Sequence, residues 1–326
     1  MKFSIGTNIK EGPWGGGNLF AKNLIEYLRL QGHEVVNHLL DNDIDLILIT
    51  EPRKTSESSS FTHVDVLKYR DLVKKDVLVV HRVNECDERK NSNFVNQYLI
   101  EANEVADFTV FVSNWLLETY LNQGLNNKNN HVILSGANKE IFNQKGFKSW
   151  DGKSKLKIVT HHWGAHWNKG FNIYQMLDSL KDKDKYKDKI KFNYIGNLPK
   201  KFKFKNSNFI KPLAGESLAK EIKKNHMYLT ASINEPSGNH HIEGAQCGLP
   251  LLYINSGGTP EYCSDFGIQF EENNFEIKLN EMITDYAHNI KKMKKYPHNS
   301  EIMCTNYLEL FEKIYKEKEI VINNRE

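Results

Sequence analysis

Two glutamates, Glu235 and Glu243, stand eight positions apart in the stretch EPSGNHHIEGAQCGLPLLYINSGGTPEYC, residues 235–263. The preceding MYLTASIN reads as a strand, so Glu235-Pro236-Ser237-Gly238-Asn239 falls at a carboxyl end, the edge where open α/β sheets take ligands. Small residues such as Ser237 and Gly238 let a phosphate approach the backbone, and the N–H groups from Asn239 onward open a helix with unpaired donors. Glu243 lies about two turns further along, at a depth where a carboxylate can accept the vicinal hydroxyls of a ribose. After the strand PLLYIN comes Ser256-Gly257-Gly258-Thr259-Pro260-Glu261. Thr259 as N-cap and Pro260 at the first helical position predict a second helix mouth beside the first. Either glutamate alone reads as an ordinary turn or helix residue. The pair, with two glycine turns at consecutive strand ends, suits a nucleotide diphosphate.

Three other stretches carry polar groups at strand ends. GPWGGGN, residues 12–18, follows the strand KFSIG and opens a helix. It lacks the G-x-G-x-x-G spacing of a dinucleotide fingerprint. Three consecutive glycines exceed what a turn requires, which makes Gly16 and Gly17 candidates for close approach of a ligand. VVHRVNECDERK leaves the sheet at the same edge with His81, Arg82 and Asn84. THHWGAHWNKGF, residues 160–171, holds His161, His162 and His166. No carboxylate sits at partner spacing, so no metal site is expected. Trp163 and Trp167 read as packing or wall residues.

The elements that must position these residues alternate along the chain. KFSIG, HEVV, DIDLILI, DVLVVH, DFTVFVS and HVILS read as strands, mostly apolar on both faces as in a buried parallel sheet. NLFAKNLIEYLRLQG has Leu19, Phe20, Leu24, Tyr27 and Leu28 at helical spacing and Gly32 where a helix-ending glycine belongs. The polar stretch 143–156 breaks the pattern. It restarts with KIVTHHW, GFNIYQMLDSL, IKFNYIGN, SLAKEIKKNH, MYLTASIN and GIQFE, and two helical patterns follow at 274–295 and 301–318. The expected fold class is α/β, two Rossmann-like doubly wound domains facing a cleft. The expected bounds are 1–145, a linker at 146–156, and 157–326, with the last helix allowed to pack back on the first domain.

Composition excludes several classes. With 326 residues, 39% hydrophobic and 11% aromatic, the chain can bury a sizeable core, so global disorder is not expected. A net charge of +3 gives no case for a nucleic-acid protein. The lysine-rich KDKDKYKDKIK, PKKFKFK and NIKKMKKY read as solvated loops and helix faces, and peripheral membrane contact is not favoured. The four cysteines show no CxxC spacing, so neither a zinc ribbon nor a disulfide scaffold is expected. The amino terminus lacks the apolar run of a signal peptide, and no stretch approaches the roughly 20 apolar residues of a membrane span. The expectation is a soluble, cytoplasmic protein.

The sequence resembles the retaining glycosyltransferases of family 4. Glu235 and Glu243 match that family's E-x7-E motif, and EGAQCGLPLLYINSGGTPE is similar to its EAMACGLPVIATDVGGNPE. GPWGGGNLFAKNLIEYLRLQGHEVV resembles its glycine-rich first loop and helix. FVSNWLLETYL with HVILSGANKEIF resembles the segment that closes its first domain, and SDFGIQFE is similar to GDAGLLFD. Most of the chain is covered, in order. The resemblance implies a GT-B fold, with the acceptor taken mainly by the first domain and a nucleotide-diphosphate sugar, UDP or GDP most naturally, by the second. It implies sugar transfer with retention to a hydroxyl of a glycan, lipid-linked or protein acceptor, in glycan or polysaccharide assembly. No tightly bound cofactor and no metal are implied.

On this resemblance Glu243 binds the ribose, Glu235 sits near the transferred sugar or departing phosphate, and Gly257, Gly258 and Thr259 contact the sugar-phosphate. Lys169 matches the lysine of the family pattern G-R-x-x-x-x-K-G and would stabilise the leaving diphosphate, which gains charge in the transition state. The arginine of that pattern is Gly164 here, with His161, His162 or His166 as substitute donors. His81, Arg82 and Asn84 would face the sugar or acceptor, and Gly16 and Gly17 would approach donor phosphate or acceptor. The departure at Gly164 keeps a non-catalytic nucleotide-sugar or glycan-binding relative as the alternative, beside a GT-B epimerase.

Overall fold

The computed structural model describes residues 1–12 and 15–325. The chain forms two compact units, Met1–Ser135 with Ser300–Glu326, and Gly136–Asn299. Each is a parallel sheet of six strands among the described residues.

The first unit contains β1 (Lys2–Ile5), β2 (Glu34–Val36), β3 (Leu46–Ile49), β4 (Leu78–Val83), β5 (Phe108–Phe111) and β6 (Asn130–Val132). They lie in the order β2-β1-β3-β4-β5-β6. Its helices are α1 (Gly16–Leu30), α2 (His63–Leu72), α3 (Asp87–Lys90), α4 (Val95–Asn103) and α5 (Asn114–Asn122). Strand residues alternate between faces. Phe3, Ile5, Leu46, Leu48, Leu78 and Val80 pack on one side with Leu24 and Leu28 of α1, while Ile47, Ile49 and Val79 pack on the other with Val66 and Tyr69 of α2. The end of α1 follows from Gly32, whose φ of +82° an L side chain rarely adopts. His33 N–H reaches Leu28 O at 3.0 Å and Gly32 N–H reaches Arg29 O at 3.0 Å, closing a Schellman motif.

The second unit contains β7 (Leu156–His162), β8 (Ile190–Gly196), β9 (Asn208–Ile210), β10 (Met227–Thr230), β11 (Leu251–Ile254) and β12 (Gly267–Phe270), in the order β12-β11-β10-β7-β8-β9. Its helices are α6 (Phe171–Leu180), α7 (Asp184–Lys187), α8 (Gly215–Ile222), α9 (Asn239–Gln246), α10 (Thr259–Cys263), α11 (Phe275–Thr284) and α12 (Tyr286–Lys292). The core gathers Ile158, Phe171, Tyr174, Phe192, Leu229, Leu252 and Phe270. Two further helices, α13 (Ser300–Lys316) and α14 (Lys318–Asn323), belong to the first unit. Tyr307, Phe311 and Ile314 of α13 enter the core that β1, β3 and β4 share with α1.

Several elements depart from the sequence reading. The helical pattern expected over 274–295 is interrupted at Asp285, which separates α11 from α12. The PKKFKFK segment turns Phe202 and Phe204 inward onto Phe171, Phe192 and Tyr194 while its lysines face out. It leads into the short edge strand β9, which the sequence reading missed. Also missed was α2, although Thr62 and Asp65 form a capping box there.

Candidate functional site

In the second unit's own chain order its strands run 6-5-4-1-2-3. The winding therefore reverses between β7 and β10, the place where an open sheet of this kind takes its ligand. His161 and His162 end β7 there, and Glu235 follows β10.

Three glycines explain how the surrounding loops come together. Gly170 has a φ of +98°, and a Cβ on it would lie 2.6 Å from the Ala231 carbonyl oxygen. Ile233 N–H also donates to Asn168 O at 2.7 Å. These contacts seat the Trp167–Lys169 turn against the loop after β10. Lys169 Nζ accordingly donates to Glu235 Oε2 in an ion pair with both side chains 6% exposed. Gly257 has a φ of +61°, and a Cβ on it would lie 2.6 Å from the Glu235 backbone N and O. Gly258 N–H donates to Glu235 O at 2.9 Å, and Asn234 N–H to Ser256 Oγ at 2.9 Å. The turns after β10 and β11 are thus stitched into one structure around Glu235. Gly244 lets α9 lie directly on the Tyr228 ring, which a Cβ there would overlap. This brings Glu243 Oε2 to 2.8 Å from His161 Nε2.

Several further polar residues of this edge are buried. His162 Nε2 lies 2.7 Å from the Tyr174 hydroxyl, and its ring is 4.4 Å from that of His240. Burial, with Lys169 adding to it, holds the His162 imidazole well below its ordinary pKa. His240 is also held well below, by burial and then by His162. His241, fully buried with neither ring nitrogen hydrogen-bonded among the described residues, is pushed down to about 3 by burial. All three therefore stay neutral near pH 7. Among the described residues the fully buried Thr259 has no hydrogen bond to its Oγ1. It is the first residue of α10, with Gly258 in the cap position that the sequence reading gave to Thr259. Ser237 and Asn239 are half-buried, and Gly238, at φ +74°, caps α9. At Gly164 a Cβ would lie 3.3 Å from Lys169 Cε and 3.4 Å from His166 Cδ2, so those two side chains occupy the space next to it. Trp167 packs on Phe171 and Phe202, and Trp163 is half exposed.

In the first unit the candidates do not converge. His81 is fully buried on β4 with Nδ1 accepting from Asn103 Nδ2 at 3.0 Å and, among the described residues, no partner on Nε2, and burial pushes it down to about 3. Arg82, the next residue, points to the opposite face and lays its guanidinium 3.8 Å from the Phe20 ring centroid. Asn84 follows the strand, half-buried. Gly16 and Gly17 open α1, and among the described residues a Cβ on Gly17 would meet nothing within 4 Å. Asn18 clamps the preceding loop by exchanging two 2.9 Å bonds with the Lys10 backbone. Pro13 and Trp14 of the glycine-rich loop lie outside the described residues.

Among the described residues no group of three or more His, Cys, Asp or Glu could hold a metal ion, and no helix is long and apolar enough to cross a membrane. The sequence reading placed Glu235, Glu243, Lys169 and the glycine turns at one edge without seeing what holds them. Tyr228 and His240 went unnamed because a buried tyrosine and a histidine inside a helix carry no spacing signal.

No protein-family model and no curated protein sequence matches the chain. Solved structures do. Anabaena HepE in complex with UDP-glucose superposes with a TM-score of 0.70 at 11% identity, covering 96% of this chain and 100% of that one. A glycosyltransferase from Rickettsia africae gives 0.66 at 14% identity over 97% and 98%. Sucrose-phosphate synthase from Thermosynechococcus elongatus gives 0.65 at 13% over 97% and 99%. The chain has the GT-B fold, two Rossmann-like α/β units.

Proposed function

We propose that this chain is a retaining glycosyltransferase of the family 4 type, moving a sugar from a nucleoside diphosphate to a hydroxyl acceptor in glycan or polysaccharide assembly. The second unit takes the donor and the first unit, through Asn84 and the residues at Gly16 and Gly17, takes the acceptor, while His81 and Arg82, buried on opposite faces of β4, shape that edge from within the sheet. Glu243 accepts the ribose hydroxyls. Lys169 meets the diphosphate, whose negative charge grows as the glycosidic bond breaks, so a fixed cation there lowers the barrier. Glu235 holds Lys169 before the donor arrives and lies beside the transferred sugar afterwards. The backbone at Gly238, Asn239, Gly257 and Gly258, with the hydroxyls of Ser237 and Thr259, supplies neutral donors to phosphate and sugar, and His162 backs them from β7. The departing phosphate takes the acceptor proton on the face it leaves, so no separate base is required.

The observation that carries this reading is the pair of buried contacts, Lys169 to Glu235 and His161 to Glu243, at the reversal of winding in the second unit. HepE with bound UDP-glucose makes UDP the first donor to try. Calorimetric titration with UDP, GDP, ADP and TDP tests the reading. One diphosphate is expected to bind, and Glu243→Ala and Lys169→Ala to weaken it at least tenfold, roughly the value of one hydrogen bond to a charged group. Binding followed by no transfer or hydrolysis of the matching nucleotide sugar would favour a non-catalytic binder, the reading that Gly164 in the arginine position supports.

A further inference from the structure

Glu243 is held by a chain of hydrogen bonds that runs back into the sheet. His161 Nε2 lies 2.8 Å from Glu243 Oε2, His161 Nδ1 lies 2.9 Å from the Tyr228 hydroxyl, and that hydroxyl lies 3.0 Å from the His161 backbone nitrogen. Chemistry fixes the direction of the link to the carboxylate, and the neutral form of the ring fixes the others. A carboxylate only accepts, so Nε2 carries the hydrogen; in the neutral imidazole Nδ1 then accepts from the Tyr228 O–H, while the backbone N–H donates to the same hydroxyl oxygen. One tautomer satisfies all four groups. Tyr228 is fully buried beneath α9 at Gly244. Glu243 Oε1 makes no protein hydrogen bond among the described residues.

We infer that His161 is a positioning residue: by holding Oε2 it aims Oε1 of Glu243 at a ribose hydroxyl and makes the site selective for ribonucleotides over 2′-deoxyribonucleotides. This rests on the reading of Glu243 as the ribose carboxylate. A carboxylate on a long side chain normally turns about its last torsion, which is broad, and a carboxylate free to turn follows whichever hydroxyl remains. Fixed at one oxygen, it cannot follow, and a ligand lacking the 2′-hydroxyl leaves a desolvated acceptor unpaired. His161 itself touches no ligand in this scheme. A purely structural role, joining α9 to β7, would affect folding and leave the ratio between the two sugars alone.

The test titrates the wild type, His161→Ala and His161→Gln with UDP and GDP, each beside its 2′-deoxy analogue, and with inorganic pyrophosphate. The wild type is expected to prefer the ribonucleotide about tenfold or more, the size that one hydrogen bond to a charged acceptor carries. His161→Ala should bring that ratio to within about twofold and leave pyrophosphate affinity unchanged. His161→Gln, whose amide N–H reaches the place of Nε2, should restore most of it. If His161→Ala does not fold, Tyr228→Phe, which frees the imidazole to flip, should lower the ratio in its place. A ratio unchanged in folded His161→Ala, or in Tyr228→Phe where that variant stands in, overturns the inference. If Glu243→Ala removes the preference and His161→Ala keeps it, only the inference falls. Failure of wild-type protein to bind either ribonucleotide would sink the reading of Glu243 and the inference together.

Discussion

The carboxyl ends of the two sheets present the same backbone opportunity and fill it differently. In the first unit the ion pairs near β3 and β4 are local along the chain. Arg53 pairs with Glu51, and Arg89 and Lys90 pair with Glu85, across two to five positions. Their cations are partly exposed, Lys90 by 46%. In the second unit the contacts join residues 66 and 82 positions apart, Lys169 with Glu235 and His161 with Glu243, and all four side chains are nearly dry. Local pairs arise from sequence spacing and settle loops. Long-range buried pairs exist only because the fold brings them together, and desolvation makes each partner costly to strand. A charged ligand therefore gains most where the second kind lies.

Breaking one pair of each kind gives the largest contrast. Lys169→Ala removes the cation that faces the buried Glu235 carboxylate and should cost about 3–5 kcal/mol of stability, together with at least about a hundredfold in sugar transfer. Lys90→Ala at the exposed pair should cost less than about 1 kcal/mol. Chemical denaturation of both variants checks this, and equal costs would erase the distinction between the two edges.

Acid sharpens the comparison next. Burial depresses His162, His240, His241 and His298 in the second unit, the last two to about 3 and about 4, against His81 in the first at about 3. Smaller depressions occur at His33, His63, His131 and His226. A neutral buried histidine leaves the unfolded chain binding more protons below pH 6.5, so stability falls as pH falls from 6.5 toward the folded pKa. The slope is about 1.4 kcal/mol per pH unit for each such group. Hydrogen exchange at pH 6.5 and 4.5, corrected for intrinsic rates, should show β7, β10 and α9 losing protection before β1, β3 and β4. The opposite order would contradict it.

Two glycines give the smallest contrast, and one of opposite sign. Gly257→Ala meets both a φ of +61° and the Glu235 backbone, and should destabilise by about 1–3 kcal/mol. Gly17→Ala meets no described residue within 4 Å in the first turn of α1 and should stabilise by up to about 1 kcal/mol. Thermal unfolding of the pair reads both.

Much of this difference was legible before any coordinates. Doubly apolar runs such as DIDLILI and the glycine at 32 report backbone requirements, which act locally, and they predicted the strands and the end of α1 correctly. Glu235, Glu243 and the turn at Gly257 and Gly258 lie within one strand–helix–strand segment, so their placement at one edge also followed from spacing. The partner of Glu243 did not. His161 is 82 residues away, and only the pairing of β7 with β10 makes them neighbours. That His81 and Arg82 point to opposite faces follows from strand alternation only because β4 runs on to Val83, past the DVLVVH that the sequence suggested. The break at Asp285 between α11 and α12 was hidden because the apolar period continues through it.

The central claim is that the second unit's edge takes the nucleotide diphosphate. Hydrogen exchange with and without saturating UDP tests it most directly. Slowed exchange at residues 161–170, 235–246 and 256–260, with no change around β4, is the expected result. Protection confined to the first unit, around residues 15–20 and 81–90, would contradict it.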